Sequence, residues 1–584
     1  MASKIRTTVF HPAILCAIAL TVCVIAAHPV LEMGLNDDWS YIWIARTLAN
    51  TGHIVYNGWA TPMLGWQLYL GALSIKLFGF TFTAVRSSML LVSLSTAVLL
   101  QRLFTRLGIA EGDATVATLT LVLSPLFLPL AFSFMSDVPG FFSILLCCYL
   151  CVRAVQASED SSALIWLAIA AASNVAAGTS RQFAWLGALV MVPCAAWYMR
   201  RRRGALLTGA ASWILSFLAI LLLVHWFTHQ PYSISDKFSF GSTDRASLVQ
   251  RVIGIVRNSF AICLLLLPVL IAFAVKFPLG NARARRQVSA AGVLIVLATI
   301  ILAAADLVFA HKHESLRWLT PFSNNYVTAR GLIDIPSVLG QRPDVVPPSL
   351  RIVLIALICA ALAGLLLCLW NTRQPRAPLT LQLPVQGKLP WSAVLILLGP
   401  YALAYIGMLV IRDQIYDRYL LPVLFVLLVL LVRFYEERVA SRLPPASLLL
   451  IVLFAAFGVA GMHDLYAINR ARLAAAEEVR SAGVPRREIR AGFEYDSWTQ
   501  LEETGYVNDS RLISPRGAYQ PRAVADVSDP CVFWFGEHLT ALTPRYGLAY
   551  EQTPCFKQAS FPPVPYTTWL PPRRHAIYIE TLLP

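Results

Sequence analysis

Apolar residues in this chain gather into long runs, with little of the strict alternation that marks exposed strands. Runs of about 17–25 apolar residues can cross a bilayer as helices. We predict about thirteen such spans, at residues 11–30, 83–101, 114–134, 138–156, 162–178, 183–199, 205–226, 256–275, 288–310, 351–370, 391–411, 419–434 and 445–461. The predicted fold class is therefore a polytopic α-helical membrane protein.

The polar stretch that organises this pattern is the loop 31–82, between the first two predicted spans. Two adjacent carboxylates, Asp37 and Asp38, open it. Apolar residues then recur with helical spacing, which predicts an amphipathic helix lying along the membrane; they are Tyr41, Ile44, Ala45 and Leu48. Gly52 is a typical stop signal for such a helix. A structural interpretation of the acids is also open, because Asn36 or Asp37 can simply cap this helix.

The pattern changes after residue 461, where apolar spans end and Pro, Arg and Glu become common. We predict two domains, a membrane domain at 1–461 and a small α/β domain at 462–584. In the second we expect a helix at 468–482, a strand running into a turn at 488–495, and strands at 532–535 and 575–579. Cys531 and Cys555 lie in this domain, and they are candidates for a disulfide if it lies outside the cytoplasm.

Composition agrees with the membrane assignment. Of the 584 residues, 57% are hydrophobic and only 14% are charged, against about 25% charged in soluble domains. The net charge of +15 comes from basic residues between apolar spans, so it indicates cytoplasmic loops and no nucleic-acid partner. The first apolar run lacks a clear cleavage site, which favours a retained helix over a signal peptide.

Basic residues also predict the orientation. Positively charged loops favour the cytoplasm. With thirteen spans, the basic residues before the first span and those after every second span fall on one side; among them are Lys4, Arg102, Arg153, Arg200–Arg203, Lys276, Arg373 and Arg433. The N-terminus is then cytoplasmic. The loop 31–82 and the C-terminal domain then face outward, with the longer loops that usually carry function.

A third carboxylate, Asp137, lies in a tight outward turn between two predicted spans. A charge at this depth is costly unless it has a partner or a function. The alternative is that it starts the next helix as a cap, with Pro139 in the first turn.

Two arginines occupy further tight outward turns. Arg181 follows Thr179-Ser180, and Arg418 lies in Tyr416-Asp417-Arg418-Tyr419. A guanidinium can bind a phosphate with paired hydrogen bonds. The alternatives are snorkelling to lipid headgroups and, for Arg418, a salt bridge with Asp417 or Asp413.

Metal and nucleotide motifs are weak or missing in the sequence. Histidines lie near the outward side, including His311 and His313, but none has the spacing of His-Glu-x-x-His. No phosphate-binding Gly-rich loop and no Gly-x-Ser-x-Gly motif is present, which argues against a nucleotide-driven pump.

Taken together, these features resemble the GT-C glycosyltransferases, in particular the protein O-mannosyltransferases and the bacterial lipid A aminoarabinose transferases. The resemblance covers about residues 1–461, and it rests on the acidic pair, the Asp at the next outward turn and the Arg-Tyr-Leu-Leu-Pro entry to a late span at 418–422. Asp37-Asp38 stands where that branch has Asp-Glu. The segment 56–62 resembles the one that follows, but it has no Lys where the aminoarabinose transferases have one, so that donor is not implied.

The resemblance implies transfer of a sugar from a polyprenyl-phosphate donor to a hydroxyl acceptor, with inversion. Asp37 would be the general base, and Asp38 would help it or orient the substrate. Asp137 would orient the acceptor, support the site or help to hold a cation. Arg418 and Arg181 would bind the donor phosphate. Paired carboxylates suit Mg²⁺ or Mn²⁺, although the sequence does not require a metal.

Other functions stay open from the sequence. The chain could be an outer-face ligase or polymerase that uses a pyrophosphate lipid, and the Arg- and His-containing loop 311–350 favours this alternative. It could also be a transporter of lipid-linked glycans. The expected partners are a lipid-linked donor, membrane lipid, and a glycan, lipid or protein acceptor. The end of the chain has no endoplasmic-reticulum retention signal, so we expect a bacterial inner-membrane protein with a periplasmic C-terminal domain.

Overall fold

The computed structural model describes residues 11–59, 62–234, 244–275, 321–322, 325–334, 338–340, 342–372, 388–412, 415–524 and 531–582, with isolated residues between 290 and 301. Most of this is helix. The helices are α1 (Pro12–Ala26), α2 (Asp38–Thr51), α3 (Trp66–Phe78), α4 (Phe82–Arg106), α5 (Glu111–Val122), α6 (Phe127–Ala131), α7 (Asp137–Gln156), α8 (Asp160–Ala177), α9 (Val192–Tyr198), α10 (Ala205–Thr228), α11 (Arg245–Leu265), α12 (Leu267–Val275), α13 (Pro348–Thr372), α14 (Trp391–Ile411), α15 (Leu421–Arg438), α16 (Pro445–Ser481) and α17 (Phe493–Thr504).

The predicted class, a polytopic helical membrane protein, is confirmed. Within the described ranges, nine helical segments are long and apolar enough to cross a membrane, and two shorter apolar segments lie at Pro12–Ala26 and Gln182–Tyr198. The predicted span 288–310 falls almost wholly outside the described residues, so the number thirteen stays a prediction.

Three predicted spans are interrupted. One of them, 256–275, is divided between α11 and α12 at Leu266. The run 114–134 splits into α5 and α6 around Ser124-Pro125, because proline lacks the N–H that would continue the helix, and the Ser124 hydroxyl accepts a hydrogen bond from the N–H of Phe127. The run 183–199 consists of a 3-10 turn, a π-helical turn and the short α9.

Loops collect at two opposite ends of the helix bundle. One end, which we call the site face, joins the segments around residues 57, 63, 179 and 232: the N–H of Gly58 donates to Tyr232 O and that of Met63 to Thr179 O. At the other end Arg433 donates to Leu107 O.

The C-terminal part continues directly from the membrane part. Helix α16 runs unbroken through the domain boundary predicted at 461/462, and it absorbs the separate helix predicted at 468–482. Beyond it lies a sheet with strand order β3-β4-β7-β5, in which β6 pairs with β7. The strands are β3 (Ile489–Arg490), β4 (Tyr546–Ala549), β5 (Lys557–Gln558), β6 (Val564–Trp569) and β7 (Pro572–Thr581), and a separate two-stranded ribbon is formed by β1 (Val327–Thr328) and β2 (Gly331–Leu332).

The strand predictions in this region are partly right. β7 contains the predicted strand 575–579, whereas 488–495 passes after two strand residues into helix α17. Residues 532–535 form turns, so the strand predicted there is wrong. The structure joins Cys531 and Cys555 in a disulfide, with their Cα atoms 5.5 Å apart.

Candidate active site

Asp37 stands at the beginning of α2, where a tight backbone turn places it. Asn36 has a positive φ of 53°, a conformation that Asn tolerates better than most residues. The Asn36 N–H donates to Glu494 Oε1 at 3.2 Å, and its side-chain amide donates to Tyr326 Oη at 3.2 Å. The chain is therefore held in place on both sides of this turn.

The side chain of Asp37 does not cap the helix. Asp37 is the N-cap residue, yet it makes no side-chain capping bond. Its Oδ1 accepts a hydrogen bond from Trp59 Nε1 at 3.0 Å, and its Oδ2 accepts one from Arg418 Nη1 at 3.3 Å. The side chain is 19% exposed. Since a cap would need this carboxylate to face the helix, its orientation favours the functional interpretation.

Asp38 faces the opposite way and is fully buried. Its carboxylate pairs with Arg86, whose Nε lies 2.7 Å from Oδ2, and it also accepts the N–H of Leu35 at 2.7 Å. Arg86 in turn donates to Leu31 O and Met33 O. This pair ties the segment before α2 to helix α4, so the structure separates the two adjacent acids into a site residue and a buried anchor.

Asp137 is the first residue of α7 and is 1% exposed. Its Oδ1 lies 3.3 Å from Arg181 Nη2, while Arg181 Nη1 donates to the Ser136 hydroxyl at 2.9 Å. A Cβ added at Gly140 would lie only 2.7 Å from Arg181 Cβ. Glycine at this position thus lets Arg181 reach Asp137.

Arg418 joins the two acids. It lies in the 3-10 turn Asp417–Leu420, and the Asp417 carboxylate is occupied by the backbone N–H groups of Tyr326, Val327 and Arg418. The Arg418 guanidinium contacts Asp37 at 3.3 Å and approaches Asp137 Oδ1 at 3.9 Å. With 9% of its side chain exposed, it does not snorkel, and Asp413 lies outside the described residues.

Aromatic rings surround the two guanidiniums. Rings lie within 6 Å of the Arg418 guanidinium carbon, a distance at which cation–π attraction acts; they are Tyr326, Tyr416 and Tyr419. The Arg181 guanidinium also lies over Tyr419, 5.0 Å from its centroid. These rings help to hold the cations in place while leaving their N–H groups for other partners.

Two carboxylates and two guanidiniums thus meet at the site face, and the sequence predicted all four: Asp37, Asp137, Arg181 and Arg418. It did not identify Arg86, Trp59 or Tyr326 as members of the site. Arg86 is 48 positions from Asp38 and Tyr326 is 290 positions from Asn36, so no local pattern links them. Trp59 lies in the segment 56–62, which is part of the family resemblance. That resemblance was the one sequence feature that could have identified Trp59 as a site residue.

Several polar atoms in this cluster lack a hydrogen-bond partner among the described residues. They are both carboxylate oxygens of Asp137, Ser180 Oγ and Arg418 Nε. Buried polar groups are almost always hydrogen-bonded, and unsatisfied ones are expected where a ligand or water completes the site. A ligand or water is therefore expected beside Asp137, Ser180 and Arg418, where the cluster offers both a carboxylate and a guanidinium.

In the described part of the chain, the two acids of the site are paired with guanidiniums and are not grouped around a cation position. Among the described residues, no group of three or more His, Cys, Asp or Glu side chains comes together as metal ligands would. Asp37 and Asp137 are each within 4 Å of a guanidinium, which would compete with Mg²⁺ or Mn²⁺. His311 and His313 lie outside the described residues.

The C-terminal part of the chain packs against one side of the site. Trp59 packs against Phe493 and Phe535, with ring centroids 5.9 and 4.8 Å away. Glu494, which holds the Asn36 N–H, pairs with Arg472 of α16 at 2.9 Å. The C-terminal part of the chain is thus in direct contact with residues that position Asp37.

Comparisons with known proteins give remote likenesses. No family model and no curated protein matches the chain. Among solved structures, the chain is 12% identical to ArnT from Cupriavidus metallidurans in the apo state, covering 100% of this chain and 99% of that one with a TM-score of 0.38. It is 13% identical to the Archaeoglobus fulgidus oligosaccharyltransferase in complex with Zn and sulfate, covering 90% and 62% with a TM-score of 0.41.

A third likeness is to the Saccharomyces cerevisiae protein O-mannosyltransferase complex bound to its sugar donor, at 15% identity and a TM-score of 0.31; it covers 37% of this chain and only 33% of that one. The structures found are GT-C glycosyltransferases, the group that the sequence motifs resemble. Because every one of these TM-scores lies below 0.5, the proposals below rest on the residues of this chain.

Proposed function

We propose that the chain is a membrane glycosyltransferase that moves a sugar from a polyprenyl-phosphate donor to a hydroxyl group of a glycan, lipid or protein acceptor. The observation that carries this proposal is the shared position of Arg418, whose guanidinium contacts the partly exposed Asp37 and approaches the buried Asp137. The Arg418 guanidinium is then in a position both to pair with the base Asp37 and to bind the donor phosphate.

Donor phosphate would bind at Arg418 and Arg181. Guanidiniums bind phosphate oxygens in pairs and stay charged when buried, and both arginines are largely buried, at 9% and 11% side-chain exposure. As the bond between the sugar and the phosphate oxygen breaks, negative charge develops on that oxygen, and preorganised cations stabilise it. Asp137 supports this site by holding Arg181.

Binding of the phosphate would also release the base. Before the donor binds, Asp37 is paired with Arg418. A phosphate that takes over this guanidinium leaves Asp37 with the Trp59 hydrogen bond alone, so its second oxygen can accept a proton. Donor binding therefore frees Asp37 to act as a general base. Asp37 does not attack the sugar; it activates the acceptor hydroxyl.

In the chemical step the acceptor oxygen forms a bond to the anomeric carbon while the bond from that carbon to the phosphate oxygen breaks. The acceptor proton passes to Asp37, and the polyprenyl phosphate leaves with the electron pair. A single displacement of this kind inverts the anomeric configuration. General base catalysis typically contributes about 10²–10⁴ in rate.

The apolar part of the donor has a candidate binding groove on α7, the helix that begins with Asp137. A cavity of about 510 Å³ lies between α4 and α7, and its lining is mostly apolar, including Leu94, Val98, Phe142 and Leu146. Phe142 is about 7.5 Å along the helix from Asp137 at 1.5 Å per residue. A prenyl chain along this groove would keep its phosphate near the site face.

The proposal is tested with purified full-length protein, a labelled panel of polyprenyl-phosphate sugars and membrane extracts as acceptors. We expect the wild type to transfer label, and Arg418→Gln to weaken donor binding by about tenfold or more, since a charge-assisted hydrogen bond is worth about 1.5–3 kcal/mol. Arg487→Gln, an exposed arginine of the C-terminal domain, is the control and should bind donor normally.

Movement of a lipid-linked glycan across the bilayer without any transfer would contradict the proposal and favour a transporter. Transfer only from pyrophosphate lipids would favour a ligase or polymerase.

A further inference from the structure

The β6–β7 hairpin ends beside the long helix α16. The backbone N–H groups of Trp569 and Leu570 donate to the two carboxylate oxygens of Asp464 at 2.6 and 2.8 Å. The Trp569 indole stacks on the ring of His463, with centroids 3.9 Å apart. These contacts fix the tip of the hairpin at one height on the helix.

That height is the edge of the apolar layer. Asp464 lies about 29 Å along α16 from Pro445 at 1.5 Å per residue, which is about the thickness of a bilayer's hydrocarbon core. The first half of α16 exposes large apolar side chains such as Leu449 and Val452, as a lipid-facing helix does.

A second helix ends near this height. Arg470, about 9 Å beyond Asp464 along α16, donates to His28 O and Val30 O, and these residues follow directly on the end of α1 at Ala26. Two helices therefore leave the apolar layer close to the level at which the hairpin tip is attached.

The tip itself has the composition of a membrane-interface segment. Trp569 is 46% exposed, and Pro571, Pro572, Arg573 and Arg574 are exposed as well. In the described part of the chain, neither Arg573 nor Arg574 has an acidic side chain within 4 Å. The tip thus presents one aromatic ring and two cations that no carboxylate of the described residues pairs with.

We propose that the hairpin tip, residues 569–574, binds the anionic headgroups of membrane phospholipids. The amphipathic indole of Trp569 would lie at the headgroup level, where Trp is enriched, and the guanidiniums of Arg573 and Arg574 would contact phosphate oxygens. This contact, together with Asp464, holds the C-terminal domain at a fixed distance from the membrane. The inference does not depend on the proposed transferase activity.

Two measurements on the full-length protein in nanodiscs test it. The first is quenching of tryptophan fluorescence by lipids with brominated acyl chains, taken as the difference between wild type and Trp569→Phe. We expect the Trp569 component to be quenched in phosphatidylglycerol nanodiscs. An unquenched component there would overturn the proposal.

The second is retention of phosphatidylglycerol in native mass spectrometry. Arg573→Gln and Arg574→Gln should each weaken retention about fivefold, because one basic residue near an anionic surface contributes on the order of 1 kcal/mol. The matched control is Arg487→Gln, an exposed arginine just beyond the far end of α16, which should change nothing. Equal losses in all three variants, or no loss in the first two, would overturn the proposal.

Discussion

At the scale of single residues, the neighbouring aspartates Asp37 and Asp38 have different surroundings and different proposed roles. Asp37 is partly exposed and shares Arg418 with Asp137, whereas Asp38 is fully buried against Arg86. The sequence marks both acids as important but cannot separate them, because which of two adjacent side chains points inward depends on a partner in a distant helix. The buried pair has enough hydrogen bonds to satisfy both ions, as a buried salt bridge requires.

Asp38→Asn should destabilise the protein strongly. It leaves the Arg86 guanidinium buried without its counter-ion, and breaking such a pair typically costs about 3–5 kcal/mol. The measurement is the apparent melting temperature of the purified protein, with Glu477→Gln as the control. Glu477 pairs with Arg480 on the surface, where an ion pair is worth about 0–1 kcal/mol.

The double variant Asp38→Asn with Arg86→Met separates charge from packing. Replacing both ions with uncharged groups is often nearly neutral, so part of the lost stability should return. A double variant no more stable than Asp38→Asn alone would contradict the explanation.

At the scale of elements, apolar run length predicted most of the membrane helices, including α4, α7, α10, α13 and α14. It failed where local chemistry breaks a run, as at Ser124-Pro125, and where a helix continues past the apolar layer. α16 continues to Ser481 because its second half has protein to pack against, which run length alone does not reveal. The amphipathic helix was predicted well: α2 begins at Asp38 and ends before Gly52, whose φ is +77°.

The groove between α4 and α7 gives a prediction at this scale. Val98→Trp places a large ring in the cavity, so we expect a several-fold higher KM for long-chain donors and little change for a donor analogue with a short prenyl chain. Leu91→Trp is the matched control, because Leu91 is an exposed residue of the same helix, at 66% exposure. Steady-state kinetics with both donors measure the difference, and an equal effect on the two donors would argue against the groove as the prenyl site.

At the scale of the whole molecule, the sequence predicted the membrane class and four of the residues that meet at the site. It could not predict how the C-terminal domain is joined to them. Glu494 accepts the Asn36 N–H and pairs with Arg472, and its partner Asn36 lies 458 positions away in the chain. Contacts between residues so far apart in the chain depend on the complete fold, and they leave no periodic pattern in the sequence.

Glu494→Gln should therefore lower transfer per folded molecule. Because the Glu494–Arg472 pair is also buried, the same change should lower the melting temperature as well. The amide keeps the shape of the carboxylate but loses its charge-assisted bonds, so Asn36 and with it Asp37 are held less firmly. Misplacement of a catalytic group by about 1 Å can cost on the order of 100-fold in rate. Turnover is compared with that of Glu502→Gln, which alters the more exposed pair with Arg486; equal turnover in the two variants would rule out this positioning role.

The proposed mechanism depends on Asp37 as the base that the donor phosphate releases from Arg418. Purified Asp37→Asn tests this, with donor binding and sugar transfer followed on the same sample. We expect donor binding to be retained while transfer falls by about 10²–10⁴. Transfer at the wild-type rate would contradict it, since Asp37 would then only hold Arg418 and Trp59 in place.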